Sequence, residues 1–279
     1  MDWQWSIPTR TKEAFGLMGI VNASPDSFYT SHLPGHGSAT ERAIHQGNTH
    51  IQAGAALLDI GGESTRPGSR CIPVETEYAR IKPVFDALSP KAPIAIDTWH
   101  AQTARRFLEQ GASVINDISG AQWDPSLSDV LGSFQPGYVL THAHAQAAAM
   151  HSPWTCTDIV TECLRYFEER LTQLTKANLP EDRIILDFGI GFGKNLAQNR
   201  ALLTHINAFL AFGRPILIAI ANKRLFGDLL GLDLLERSQA TALATALLWQ
   251  AGATWHRVHN VAESRQALLL ASSLAQNQS

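Results

Sequence analysis

Short, β-rich apolar runs alternate with longer segments of helical period along the whole chain. The runs that predict strands are residues 15–21, 55–60, 94–96, 113–116, 138–141, 184–186, 215–220 and 254–258. Segments 40–52, 74–88, 100–109, 158–177 and 236–250 carry the helical spacing between them. Strands separated by crossover helices pair in parallel, and eight is the number that closes a barrel. The predicted fold is therefore α/β, a (β/α)8 TIM barrel. Ala53-Gly54-Ala55, Gln110-Gly111-Ala112 and Ala251-Gly252-Ala253 each fall between a helix end and the next strand. Glycine at such a point supplies a left-handed cap. No linker or compositional break interrupts the pattern, so residues 1–279 read as a single domain, with 31–38 as a Gly- and His-rich loop.

Composition narrows the picture. The chain has 279 residues, 45% of them hydrophobic and only 17% charged. That charge content is below the roughly 25% usual for soluble domains, as suits much buried surface or a face covered in a dimer. A net charge of −3 without a dense basic run argues against a nucleic-acid partner. Cys71, Cys156 and Cys163 are odd in number and widely spaced, which predicts reduced thiols rather than a disulfide framework. The first residues lack an apolar signal core, and no run of about 18 apolar residues occurs. A cytoplasmic protein with no membrane segment is expected.

The residues at the strand exits are more informative. Asn22 comes after the first strand; Glu63, Thr65 and Arg66 after the second; Asp97 after the third; Asn116 and Asp117 close the fourth. His142 comes after the fifth, Asp187 after the sixth, Asn222 and Lys223 after the seventh, and Arg257 and His259 mark the eighth. In a parallel barrel these ends face one side. A single such residue commonly caps a helix, but each costs about 1–3 kcal/mol if buried without a partner, so eight in succession predict a site. Asp97, Asn116, Asp187 and Lys223 mix donors and acceptors at deep strand ends, a set that can line a flat heterocycle rich in N–H and C=O groups. Asn22, Arg66, Arg257 and His259 form an outer, mostly donor set that suits a phosphate. The Asn22 oxygen could ligate Mg²⁺ together with phosphate oxygens and water.

Two further motifs point away from nucleotide or zinc chemistry. The run Gly189-Ile190-Gly191-Phe192-Gly193-Lys194 has neither Walker A spacing nor a hydroxyl after the lysine. Its glycines instead let backbone approach a ligand, with Phe192 available to cover it. His142, His144 and His151 lack a carboxylate or cysteine at zinc spacing.

The motifs themselves carry a resemblance. Residues 18–28, MGIVNASPDSF, are similar to the first signature of the dihydropteroate synthase family, the pterin-binding barrels of folate biosynthesis, and residues 59–68, DIGGESTRPG, match its second. Further matches at 96–98, 115–120, 189–194 and 257–259 spread the resemblance over nearly the whole chain. It implies a transferase that condenses 7,8-dihydropterin-6-ylmethyl diphosphate with 4-aminobenzoate, giving 7,8-dihydropteroate and diphosphate. By family pattern Asp97, Asn116, Asp187 and Lys223 would hold the pterin, and Asn22, Arg257 and His259 the diphosphate, with Mg²⁺. Thr65, Arg66, Pro67, Phe192 and Lys223 would form the aminobenzoate site, and Lys223, Asp97 and Arg66 would be the catalytic groups. The resemblance also implies a homodimer and sulfonamide targeting.

Strand seven departs from the pattern, reading Ala221-Asn222-Lys223 where the family usually has Ser-Arg-Lys. Phe188 stands where the family usually has proline, Asn260 replaces an aspartate, and the fifth-strand segment lacks its methionines. A synthase with a diverged aminobenzoate pocket is the leading expectation. The alternatives are a pterin-binding paralogue with weak or no synthase activity and a pterin-dependent methyltransferase domain.

Overall fold

The computed structural model describes residues 3, 5, 15–24, 37–64, 71–145 and 149–275. Eight parallel strands close into a barrel in strict chain order. They are β1 (Gly16–Asn22), β2 (Leu57–Gly61), β3 (Ile94–Asp97), β4 (Val114–Asp117), β5 (Gly137–Thr141), β6 (Ile184–Asp187), β7 (Ile216–Ile218) and β8 (Trp255–Val258). The helices, in order, are α1 (Ala39–Gln52), α2 (Val74–Leu88), α3 (Ala101–Glu109), α4 (Leu127–Phe134) and α5 (Ile159–Lys176). They continue with α6 (Leu196–Thr204), α7 (Ile206–Phe209), α8 (Arg224–Leu230), α9 (Arg237–Gln250) and α10 (Val261–Ala275). The eight strands and five helices that the hydrophobic pattern predicts are all present, with ends displaced by a few residues. Helices α4, α6, α7, α8 and α10 have no counterpart in that reading. Most of the 31–38 loop lies outside the described residues, but its last residue, Ser38, is the cap of α1: its Oγ accepts from Glu41 N–H at 3.2 Å and Glu41 returns a bond at 2.7 Å.

The three cap glycines have φ of +90° at Gly54, +96° at Gly111 and +112° at Gly252. A side chain at such φ is strained, so glycine ends these helices and turns the chain into the next strand.

Every strand contributes one side chain to an apolar plug inside the barrel: Met18, Leu57, Ala95, Val114, Val139, Ile185, Leu217 and Trp255. Trp5 closes its lower end edge-on to Trp255, with ring centroids 5.2 Å apart. A larger core, from Val21 and Ile60 through Phe167 and Phe188, packs the outer strand faces against the helices. Successive strand residues point to opposite faces. Two residues beyond the plug on β2, β3, β4, β6 and β8, the same inward face therefore presents Asp59, Asp97, Asn116, Asp187 and Arg257. The plug lies below this polar layer and excludes water from that side.

Candidate active site

The polar layer is wired across the barrel. Arg257 Nε donates to Asp59 Oδ2 at 2.6 Å, and its Nη2 donates to Asp97 Oδ2 at 2.8 Å. Asn116 Nδ2 donates to the same Asp59 oxygen at 3.0 Å. Strand register sets Gly61 beside Asp97 and Asp97 beside Asn116, so β2, β3 and β4 present their groups side by side. The sequence pattern groups Arg257 with the outer anion set, but the structure places its guanidinium in the deep layer, between two carboxylates. The reason is parity: Arg257 is two residues past the plug residue Trp255 on an inward-facing strand. Asn22, at the end of β1, lies one inward step nearer the mouth than Ile20, and His259 comes directly after β8.

Asp59 is the member that sequence reasoning misses. It is fully buried, joins Arg257 to Asn116, and keeps its second oxygen without a hydrogen-bond partner. The signal was present: a carboxylate between Leu58 and Ile60, within an apolar strand, has no structural reason to be there unless it faces a polar interior.

On the opposite side, Asp187 Oδ1 accepts from Gly189 N–H at 2.8 Å. The Lys223 ammonium donates to the Ile190 carbonyl and lies 4.8 Å from the centroid of the Phe192 ring. Gly189, Gly191 and Gly193 all have positive φ, and a Cβ at Gly189 would stand 2.3 Å from the His142 carbonyl. This loop can therefore fold tightly over the mouth only as glycines. Lys194 is buried within its own loop, with Nζ on the Gly189 carbonyl at 3.0 Å.

Burial dominates the proton affinities. It pushes Asp97 up to about 8 against the pull of Arg257, and it raises Asp187 against the pull of Lys223. It lowers Lys223 to about 8, partly offset by Asp187, and Lys194 likewise to about 8. Burial also works against the Arg257 cation, but Asp59 and Asp97 outweigh it and hold the guanidinium charged. Groups that ordinarily titrate far from neutrality are thus drawn toward it, as in sites that exchange protons with a ligand.

Other strand-end groups prove structural. Asp117 points away from Asn116 and accepts from Tyr138 Oη at 2.7 Å and from the Ser119 and Ala121 amides. His142 is buried against Tyr166 and Trp154, and burial drives its pKa well below the ordinary value. His144 stacks on Trp154. Glu63 lies 3.7 Å from His100 Nε2, on the outer side of the layer. The three cysteines are free. Thr65, Arg66 and Pro67 fall outside the described residues.

A closed parallel barrel with a buried, charge-rich layer at the C-terminal strand ends defines a TIM-barrel enzyme site for a small polar ligand. The profile of the family described as pterin binding enzyme matches residues 18–259, and the chain belongs to that family. It is 34% identical over 266 residues to the dihydropteroate synthase of Bacillus subtilis (strain 168), an alignment covering 94% of this chain and 90% of the relative. It is 33% identical over 267 residues to the inactive dihydropteroate synthase 2 of Mycobacterium tuberculosis (strain ATCC 25618 / H37Rv), covering 92% and 82%. Among solved structures it resembles the Yersinia pestis dihydropteroate synthase with a sulfonamide drug complex, at a TM-score of 0.88, 30% identity and coverage of 98% and 100%. It also resembles the Xanthomonas albilineans dihydropteroate synthase with 4-aminobenzoic acid, at a TM-score of 0.86 and 34% identity, covering 93% of each chain.

Proposed function

We propose that the chain is a dihydropteroate synthase that joins 7,8-dihydropterin-6-ylmethyl diphosphate to 4-aminobenzoate. The observation that carries this reading is the inward layer in which Asp97, Asn116 and Arg257 are joined with Asp59, with Asp187 on the other side acting electrostatically on Lys223. Carboxylates accept from the amidine-like edge of a dihydropterin, and Asn116 and Lys223 supply the matching donors and acceptor. Arg257 and His259, with Asn22 above, suit the diphosphate. Phe192 and Lys223 wall the aminobenzoate side, where Thr65, Arg66 and Pro67 join them by sequence motif. Lys223, Asp97 and Arg66 are the groups assigned closest to the chemistry.

In this reaction the methylene carbon–oxygen bond breaks and the electron pair leaves with diphosphate. The arylamine nitrogen then bonds to the methylene carbon and loses a proton. The chain's residues hold the two partners in line, which supplies much of the rate, and Arg257 balances charge on the departing group. In their ionised forms Asp97 and Asp187 stabilise positive charge developing on the pterin.

Mg²⁺ fits the donor set. Among the described residues no cluster of three His, Cys, Asp or Glu side chains could hold a metal alone. The half-buried Asn22 amide oxygen would be one ligand beside diphosphate oxygens and water, the oxygen-only set that Mg²⁺ prefers. When bound it would neutralise charge on the diphosphate.

The functional unit is proposed to be residues 1–279 as one domain, paired as a homodimer in the cytoplasm. No described helix is long and apolar enough to cross a membrane. A second reading, a pterin-binding paralogue without synthase activity, is favoured by Ala221 and Asn222 alone. Diphosphate release by the purified protein separates the two. Turnover that needs both 4-aminobenzoate and Mg²⁺ supports the synthase, whereas pterin binding without product supports the paralogue. Full activity in Lys223→Ala would sink the site assignment.

A further inference from the structure

The strand-seven departure acquires a structural meaning. Residues 220–223 form a turn closed by Lys223 N–H on the Ile220 carbonyl at 3.1 Å. Its third residue, Asn222, has φ of +53°. A turn with positive φ at that place favours glycine, which has no Cβ, or asparagine, whose short amide bonds locally, over other residues. Asn222 is thus well suited to this turn.

Two residues of α9 hold the turn. Asn222 N–H donates to Thr241 Oγ1 at 3.2 Å, and the same hydroxyl oxygen lies 3.5 Å from Asn222 Oδ1. Thr241 is itself buried and donates to the Arg237 carbonyl at 2.8 Å. Arg237 Nη1 donates to the Asn222 carbonyl at 3.3 Å, and its Nε donates to the Leu232 carbonyl at 3.1 Å. One guanidinium therefore ties the chain just before α8 to the chain just after it. Helix α8 lies close against it: a Cβ at Gly227 would stand 2.7 Å from Arg237 Nη2. Lys223 is the last residue of the clamped turn and the N-cap of α8.

We propose that Thr241 and Arg237 are positioning residues for Lys223, clamping the Asn222 turn so that the lysine ammonium is delivered to the Ile190 carbonyl and the Phe192 face. The clamp stands on geometry; its importance for catalysis rests on the synthase reading. The charged groups that act on the ammonium from the surrounding strands and loop are Asp187, Arg257 and Lys194.

The test reads the lysine directly, by ¹³C NMR titration of labelled lysine in the full chain, with Lys223→Ala to assign the signal. In the wild type the ammonium should titrate at about 8. Thr241→Val and Arg237→Ala should move that titration upward, toward the 10.5 of a solvated lysine, while Thr241→Ser should leave it in place. The same two disruptive variants should weaken binding of the dihydropterin diphosphate on the order of tenfold or more. If Thr241→Val fails to fold, Asn222→Ala and Asn222→Gly answer instead: glycine adopts the positive φ freely and should retain the titration, and alanine should shift it. An unmoved Lys223 titration in folded Thr241→Val, Arg237→Ala and Asn222→Ala overturns the clamp. Should the wild type release no diphosphate while the titrations shift as stated, the clamp is upheld and the synthase reading falls.

Discussion

Arg257 reaches from β8 to Asp97 on β3, with Nη2 to Oδ2 at 2.8 Å, so a single ion pair crosses the barrel interior in its deep polar layer. With Nε on Asp59 at 2.6 Å, the guanidinium uses its fork on two different carboxylates. That geometry joins the side assigned to the pterin with the side assigned to the leaving diphosphate. A planar guanidinium can serve both carboxylates and still offer its remaining N–H groups to an anion.

Arg257→Lys tests this dual role. An ammonium keeps the charge but cannot span Asp59 and Asp97 in fixed directions. We expect kcat/KM for the diphosphate substrate to fall on the order of a hundredfold, consistent with the cost of a misplaced catalytic group. Steady-state kinetics check it, and a lysine variant as active as the wild type would remove Arg257 from the centre of the site.

Lys194 gives the stability of the fold a pH dependence. Its folded pKa is lowered to about 8 from 10.5, first by burial. Between those values the unfolded chain binds more protons than the folded one, so this group's contribution to stability rises with pH in that window. The penalty of holding the buried ammonium is fully present below about 8. Relative to Lys194→Met, the wild type should therefore gain stability between pH 7 and pH 10, by at most about 1.4 kcal/mol for each pH unit. Urea denaturation of both proteins across that range measures the difference. A gap independent of pH would mean that Lys194 is solvated in the folded state.

The barrel was legible in the sequence because each strand is a short apolar run bounded by glycine or a polar exit, and because Gly54, Gly111 and Gly252 mark helix ends. Asp97, Asn116, Asp187 and Lys223 were legible as strand exits. Asp59 was not, since it sits inside a strand and only inward parity reveals it. Arg257 was found, but its pairing with Asp59 and Asp97 was not, because a linear order cannot say which residues meet across a closed sheet. The short helices α6 to α8 escaped because they carry too little amphipathic period to stand out, whereas α3, nine residues long like α6, has a well-separated apolar face. Asn222 reads in the chain as a lost cation and in space as a residue that favours the positive φ of its turn.

The tryptophan floor should matter for stability and not for recognition. Trp255 is fully buried and meets Trp5 edge-on, with Trp3 at 6.2 Å. Removing so large a core side chain costs about 3–5 kcal/mol. Trp255→Ala should lower the melting temperature by many degrees while the folded fraction binds pterin with near-native affinity. Calorimetry with a binding titration below the transition checks both halves. Weak binding without loss of stability would show that the plug shapes the site directly.

The proposed dimer has a candidate interface in the outer helices. Helices α9 and α10 are packed neighbours, yet each leaves two leucines one turn apart in solvent: Leu243 and Leu247 on α9, Leu270 and Leu274 on α10, all at least 60% exposed. Single exposed leucines are ordinary, but two exposed pairs at helical spacing on two contacting helices are more than scatter. Such leucines are a candidate association site, and covering them with a second copy would remove them from water at roughly 25 cal/mol per Å². The low charge content of the chain agrees with a covered face. Leu243→Asp with Leu270→Asp places carboxylates within that apolar area, where burial without a partner is costly. The wild type should sediment as a dimer and the double variant as a monomer with an unchanged circular dichroism spectrum. A dimer that survives both substitutions would place the interface elsewhere on the barrel.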